Sequence, residues 1–284
     1  MDEKKRFEDF DWNQLSLENL KHIQSEVSKA IDIKRRELLT KSTVYASQDY
    51  DYKASLVKAY PHRLRRFLSE YDRCVFMVSL GSKNFVEQTR LEACIKWISD
   101  NFKNCLVLVC DSIYRLTIQV RQGLKEDEAW LEAISSGKKF VDRQYGWFDK
   151  YSENCIFDLL MTSEVEKESD FQIYYEELQS LYRKNRLFES MVNSFSQKYL
   201  SRLEWEKLEH KDDIRKQTLA TMYLLEESAC IACIVKRGWP VFVYPGSIKT
   251  FEEITEGLHP EVPEPLKQMI WVSLRLKKRK GAIA

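Results

Sequence analysis

The hydrophobic rhythm of the chain changes near residue 74. Before that point apolar residues recur at helical spacing. Leu20, Ile23, Val27, Ile31 and Ile33 form an approximate stripe through residues 16–40, with Ser16 placed as a cap and Asn19 in the first turn. The stretch KSTVYASQDYDYK (41–53) is polar and aromatic without periodicity and reads as a linker or loop. From Cys74 the pattern becomes strand and helix in alternation. CVFMVSL (74–80) and NCLVLVCD (104–111) are near-continuous apolar runs, as expected of strands covered on both faces. Between them VEQTRLEACIKWISDNF places Leu91, Cys94, Ile95 and Ile98 on one helical face. SIYRLTIQVRQG then predicts a short helix, 125–150 a long one, CIFDLLM a third strand and 170–200 two helices. A further long helix is expected over 212–235, a strand over PVFVY (240–244), and a helical, basic C-terminal end. Strand, crossover helix, strand is the building unit of an α/β, Rossmann-like, doubly wound parallel sheet with surrounding helices.

Composition narrows the picture only in places. Of 284 residues, 44% are hydrophobic, enough for a sizeable core, and 31% are charged. No apolar run approaches the roughly 20 residues of a membrane-spanning helix. The opening MDEKKRFEDFDWNQ lacks the apolar segment of a secretory signal, so a cytoplasmic location is expected. A net charge of +1 leaves any RNA-binding surface to local clustering of basic residues. The seven cysteines are scattered and read as reduced and mostly buried. Cys230 and Cys233 form a CxxC, but inside the apolar helical run ACIACIV, where core packing is the expected role. The organisation expected is a helical extension and linker over 1–68, packed on a Rossmann-like domain over 69–284.

Several chemistries are disfavoured. There is no GxGxxG, no GxxxxGK[ST] and no GxSxG, and the turn after the first strand, SLGSKNF, holds a single glycine. No His/Cys/Asp cluster has metal-ligand spacing, so neither a metal nor a cofactor is expected. Three features remain. Ser79 stands at the carboxyl end of the first parallel strand, where open α/β sheets place ligands. Tyr223 and Glu227, four apart in MYLLEESACIACIV, share a helix face that is otherwise apolar, with Glu226 about a quarter-turn away. Periodicity alone favours a surface carboxylate at the edge of that stripe. A desolvated Glu227 would suit an ammonium group or a proton transfer. Tyr244 ends a strand before the turn Pro245-Gly246, and would share a rim with Ser79 if the two strands run parallel. His22, His62, His210 and His259 all read as helix-surface or loop residues, which argues against a Ser-His-Asp triad. A serine without a base suffices when its acyl donor is already an activated ester.

In this order and spacing the three features resemble the cyclodipeptide synthase family, over about residues 70–260. The family's opening pattern H-x-[LVI]-[LVI]-G-[LVI]-S corresponds to Arg73, Cys74, Val75, Phe76, Met77, Val78 and Ser79. The serine and its apolar lead-in match, while the histidine and glycine do not. Tyr223 and Glu227 match the family's helical pair, and Tyr244 matches a tyrosine after a later strand. Ser82 and Pro245 resemble the XYP-type subfamily, and FQIYYEELQSLYRKNRLFESMVNSF looks like the family's paired helices. The resemblance implies a fold like the catalytic domains of class I tyrosyl- and tryptophanyl-tRNA synthetases. It also implies a cytoplasmic, ATP-independent aminoacyltransferase that joins the aminoacyl groups of two aminoacyl-tRNAs into a diketopiperazine. Ser79 would carry the aminoacyl group, Tyr223 and Glu227 would hold its amine, and Tyr244 would relay a proton.

Matched residue by residue, the resemblance implies a first aminoacyl pocket of Val75, Met77, Ile231 and Phe242, with Val107 or Val109 from the second strand. Met77 in place of glycine would make it shallower or tilt its occupant. A tRNA surface is implied on SSGKKFVDRQYGWFDK, through Lys138, Lys139, Arg143 and Lys150, with RLKKRK at the C-terminal end as a supplement. Aminoacyl-tRNA is thus the expected partner, with no DNA, no membrane and a monomer favoured. Two other readings stay open: another serine-dependent acyltransferase or hydrolase, and a non-catalytic tRNA-binding synthetase relative.

Overall fold

A computed structural model describes residues 52–203 and 213–278 and isolated positions between 15 and 26. Residues 1–47 and 48–284 form two compact units. Of the helix expected over 16–40, only isolated positions are described. There the backbone N–H of Asn19 donates to Ser16 Oγ at 3.2 Å, the capping bond that the sequence suggested. The other stripe residues, except Ile23, and the stretch 41–51 lie outside the described residues.

The larger unit is built on a six-stranded sheet: β1 (Tyr52–Tyr60), β2 (Arg73–Val78), β3 (Asn104–Val109), β4 (Ile156–Met161), β5 (Val241–Pro245) and β6 (Ile270–Lys278). The strand order is β1-β6-β5-β2-β3-β4, with β2 to β6 parallel and β1 antiparallel on one edge. Among the described residues, seven longer helices connect the strands: α1 (Gln88–Ser99), α2 (Asp111–Gln122), α3 (Glu126–Lys150), α4 (Ser169–Lys184), α5 (Arg186–Arg202), α6 (Asp213–Lys236) and α7 (Lys249–Thr255). The expected α/β doubly wound sheet is therefore the observed one.

Alternation along β2 explains its unbroken apolar run. Cys74, Phe76 and Val78 join Leu91, Cys94, Ile95 and Ile98 of α1 on one face. Val75 and Met77 join the opposite core, with Leu224, Ile231 and Ile234 of α6. Both faces are buried, so both must be apolar. The helix α6 is long and apolar enough to cross a membrane by length and composition, a signal that a search for continuous apolar runs misses. Here 89% of that apolar window is buried within the protein, and α6 packs against α2, α4 and α5 as the central core helix. Cys230 and Cys233 lie within it, and all seven cysteines are free and buried.

Two elements differ from the sequence reading. Tyr52–Tyr60, inside the stretch assigned to extension and linker, is the edge strand β1, paired antiparallel with β6. The end read as helical is instead β6, with Ile270 to Leu274 buried and Arg275, Lys277 and Lys278 exposed. Its basic tail resembles a solvated helix face. Ladder partners on both sides, supplied by β5 and β1, make the segment a strand.

The chain runs β2, β3, β4 outward in one direction, then crosses back to lay β5 beside β2 on the other side. The strand order thus reverses between β2 and β5. In open α/β sheets such a switch point opens a crevice at the carboxyl ends of the two strands.

Candidate active site

Ser79 follows the last residue of β2, and Tyr244 is the penultimate residue of β5. Both emerge at this switch point, and the Tyr244 hydroxyl donates to Ser79 Oγ at 3.4 Å, a long contact. The chain turns sharply after Ser79. The N–H of Ser82 donates to the Ser79 carbonyl at 3.2 Å, and Gly81 takes φ +83°, which a type II turn requires at its third position. A Cβ on Gly81 would also meet the Tyr114 ring at 3.0 Å. Ser82 then caps a one-turn helix, Lys83–Val86, accepting from the N–H of Asn84 at 3.4 Å. Asn84 Nδ2 donates to the Pro245 carbonyl at 2.9 Å, tying the loop after β2 to the end of β5. Ser82 and Pro245 therefore bracket the serine and the tyrosine.

The third component comes from α6. Tyr223 and Glu227 stand one turn apart and face the same cavity as Ser79 and Tyr244, a space of about 1510 Å³. Glu227 is 2% exposed, and its Oε2 has no hydrogen-bond partner among the described residues. Burial alone raises its pKa to about 8, because no cation offsets the loss of water. The surface position favoured by periodicity is thereby overturned: both flanks of α6 are covered, and the stripe has no solvent edge at this turn. Burial, and then the Glu227 charge, also push the Tyr223 phenol upward. Tyr244 rises to about 12 for the same main reason, with the Ser79 contact acting the other way. Glu226, next in sequence, is also buried but is matched. Arg115 of α2 donates to its two oxygens at 2.9 and 2.7 Å. Adjacent glutamates thus divide into a structural one with a fork partner and one left facing a cavity.

The predicted aminoacyl pocket is placed differently. Val75, Met77, Ile231 and Phe242 share one face of the sheet and are fully buried, but none lines the cavity. Val107 and Val109 lie on the opposite face with Phe76 and Val78. The cause is strand parity: Val75 is opposite Leu106 and Met77 opposite Leu108, so the β3 residues on the Val75 side are the even-numbered ones. On α3, Lys138, Lys139 and Arg143 are exposed, while Lys150 is bound to Glu92 at 2.5 Å and lies against the Trp147 and Tyr151 rings.

Sequence reasoning missed two walls of the cavity. One is a face of α5, where Leu187, Ser190, Met191, Ser194, Phe195, Lys198, Tyr199 and Arg202 recur at helical spacing. That recurrence was visible in the sequence as an amphipathic stripe of hydroxyls, rings and cations. The other is His259, read as a surface or loop histidine. It does follow α7 in a loop, but it is 8% exposed, lines the cavity, and stands 3.6 Å from Glu253 and edge-on to Phe188.

No protein-family model matches the chain, and no curated protein matches its sequence. Solved structures do match. A cyclodipeptide synthase from Fluoribacter dumoffii is 22% identical, over 81% of this chain and 100% of that one, at a TM-score of 0.69. A Mycobacterium tuberculosis protein, reported to demonstrate that cyclodipeptide synthetases are related to type I tRNA synthetases, is 13% identical. That match covers 82% of this chain and 96% of the other, at a TM-score of 0.57. A cyclodipeptide synthase from Candidatus Glomeribacter gigasporarum, bound to Phe-tRNAPhe, is 16% identical over 75% and 90%, at 0.55. These likenesses define the fold: the chain has the α/β architecture of cyclodipeptide synthases, related to that of class I aminoacyl-tRNA synthetases.

Proposed function

We propose that the protein is a tRNA-dependent cyclodipeptide synthase of the XYP type, acting in the cytoplasm on two aminoacyl-tRNAs without ATP. The observation that carries this reading is the convergence of Ser79, Tyr244, Tyr223 and an unpartnered, buried Glu227 on one cavity at the sheet's switch point. Ser79 Oγ attacks the ester carbonyl of the first aminoacyl-tRNA, and the tRNA's terminal hydroxyl leaves with the proton. The energy of the new ester comes from the old one, so no nucleotide is consumed. The donor's activation also means that Ser79 needs no histidine base.

Glu227 and Tyr223 hold the α-amino group of the resulting aminoacyl-Ser79. Burial raises the Glu227 carboxyl toward the range in which an α-amine titrates, and a neighbouring ammonium would favour its ionised form, so the pair can exchange a proton as the amine is freed. The freed amine attacks the ester carbonyl of the second aminoacyl-tRNA, giving a dipeptidyl-Ser79 and releasing the second tRNA. The terminal amine then attacks the Ser79 ester. Tyr244, in contact with Ser79 Oγ, passes a proton to the departing serine as the ring closes. Holding both ends in one cavity makes that step intramolecular.

The test is expression in a bacterium with mass spectrometry of the medium for diketopiperazines. The wild-type protein is expected to yield them, and Ser79→Ala to yield none. Soluble, folded protein that yields no cyclic dipeptide would move the assignment to another serine acyltransferase or hydrolase on the same fold. A tRNA complex without any acyl-Ser79 would point to a non-catalytic synthetase relative.

A further inference from the structure

The sheet is weakly joined across its switch point. β2 is paired with β3 along its whole length, from Arg73–Asn104 to Val78–Val109, and the N–H of Cys110 still donates to the Val78 carbonyl at 3.0 Å. β5 is likewise held to β6 as far as Pro245–Leu274. Between β2 and β5 the register among the described residues is Val75–Phe242 and Phe76–Val243, and it ends there. The two halves of the sheet, β2-β3-β4 and β5-β6-β1, therefore part before the residues that carry the chemistry. Ser79 lies past the last pair on one strand and Tyr244 past it on the other, so the ladder does not set their 3.4 Å contact.

Two side chains behind the cavity tie the halves together beyond the end of that ladder. Asn84 donates through Nδ2 to the Pro245 carbonyl at 2.9 Å and accepts through Oδ1 from Nη1 of Arg90, on α1, at 3.1 Å. Neither residue lines the cavity. The amide has one workable orientation, since turning it over would set donor against donor and oxygen against oxygen. Arg90 thus fixes which end of Asn84 meets β5. The same guanidinium crosses to the other half of the sheet. Its Nη2 donates to the Tyr52 hydroxyl of β1 at 3.2 Å, and its carbon lies 4.7 Å from the centre of the Tyr52 ring. Glu87, 2.6 Å from Nε, balances the charge. Apolar contacts also fill the seam: Phe85 lies 5.6 Å from the Phe76 ring and 5.9 Å from the Tyr244 ring. Such contacts are non-directional and tolerate sliding, whereas hydrogen bonds fix a distance and an angle.

We propose that Asn84 and Arg90 are positioning residues for ring closure: they clamp the two half-sheets so that Tyr244 Oη stays within reach of Ser79 Oγ. This rests on the reading of Ser79 and Tyr244 as the pair that acts in that step. There the C–N bond of the ring forms and the ester C–Oγ bond breaks. The phenol gives its proton to Oγ and takes the one that the amine sheds. Proton transfer requires heavy atoms about 2.6–3.2 Å apart, and the resting contact is already at 3.4 Å. The site has little slack, and a slip of about 1 Å costs on the order of 100-fold in rate. In the same reading, acylation of Ser79 draws no proton from Tyr244. The clamp therefore bears on the last step and not on the first.

The test has two arms, on wild type, Asn84→Asp, Arg90→Met and Arg90→Lys, each checked for folding by circular dichroism. Asn84→Asp is nearly isosteric and keeps the Arg90 contact, but turns an oxygen toward the Pro245 carbonyl. The first arm needs no substrate. Fluorine NMR of fluorotyrosine-labelled protein follows the Tyr244 resonance, assigned by its loss in Tyr244→Phe, with Ser79→Ala marking the position of a released phenol. Asn84→Asp and Arg90→Met should move that resonance toward the Ser79→Ala position or split it. Arg90→Lys, which keeps a donor for Oδ1, should stay near wild type. The second arm supplies aminoacyl-tRNA and follows Ser79 by intact-protein mass spectrometry. Asn84→Asp should acylate Ser79 at close to the wild-type rate, accumulate dipeptidyl-Ser79, and release diketopiperazine up to about 100-fold more slowly. Arg90→Lys should recover most of that loss. A folded Asn84→Asp protein with the wild-type Tyr244 resonance, or with wild-type product release, would overturn the proposal. So would a loss confined to the acylation of Ser79. If wild type itself forms no acyl-Ser79, the enzymatic reading fails on its own, and the fluorine spectra still decide whether Asn84 holds Tyr244 to Ser79.

Discussion

Glu227→Gln should make the protein more stable and inactive. In the folded protein burial holds the Glu227 carboxyl at about 8, against an ordinary 4.5. Between those two values the folded state keeps a proton that the unfolded state has released. Stability therefore declines as pH rises from 4.5 to about 8 and is level above that. At pH 7 the unfolded carboxyl has passed two and a half pH units beyond its ordinary value, at about 1.36 kcal/mol each, so the carboxyl costs about 3 kcal/mol. That figure depends on the folded value only in that it lies at or above 7. Glutamine is nearly isosteric and does not ionise, so it escapes this cost. The advantage of Glu227→Gln should be under about 1 kcal/mol at pH 5, about 3 at pH 7 and about 5 above pH 8. For a domain of this size, 3 kcal/mol corresponds to a Tm increase of roughly 6 to 12 °C. Thermal and urea denaturation of both proteins at pH 5, 7 and 8.5 measure it directly. Diketopiperazine formation should fall by about 100-fold or more with the loss of a proton-accepting group. A variant no more stable than wild type at pH 7, or an advantage that does not grow with pH, would refute the reasoning.

Arg115→Met strips the fork from Glu226 and leaves a buried, unpaired carboxylate. A loss of about 3 to 5 kcal/mol is expected in urea denaturation, largely recovered by adding Glu226→Leu. Gly137→Ala in α3 would set a Cβ 2.6 Å from Asp111 Cβ. Calorimetry should show a net loss of about 1 to 2 kcal/mol, although alanine favours a helix by about 1 kcal/mol. Met77→Gly removes a fully buried side chain beneath Ser79 and should cost about 2 to 5 kcal/mol. If the space vacated reaches the aminoacyl site, larger first residues should enter the product mixture; an unchanged product profile would disconnect Met77 from specificity.

Much of the architecture was legible in the sequence, because burial on both faces of a parallel strand forces an apolar run such as Cys74 to Val78. Helical spacing likewise marked α1, α3 and α6. Ser79, Tyr223, Glu227 and Tyr244 could be picked out because serine at a strand end, a polar pair on an apolar stripe and a tyrosine before Pro-Gly are local patterns. What local pattern could not supply was environment. Strand parity across β2 and β3 depends on register, and register placed Val107 and Val109 on the far face. Strand β6 needed both its neighbours before a basic tail could be recognised as a sheet strand. Spacing from Tyr223 separated Glu227 from Glu226 by helix face, but not by partner or by exposure. Only packing gives Glu226 the Arg115 fork and leaves Glu227 facing a cavity without a hydrogen-bond partner for Oε2 among the described residues, so that it keeps its proton. Likewise, the rings and cations of α5 became a wall only when the helix was laid beside the end of β2. The chain's own residues determine which groups are available for chemistry. The tertiary structure decides which of them lose water, and with it which are held ready to react.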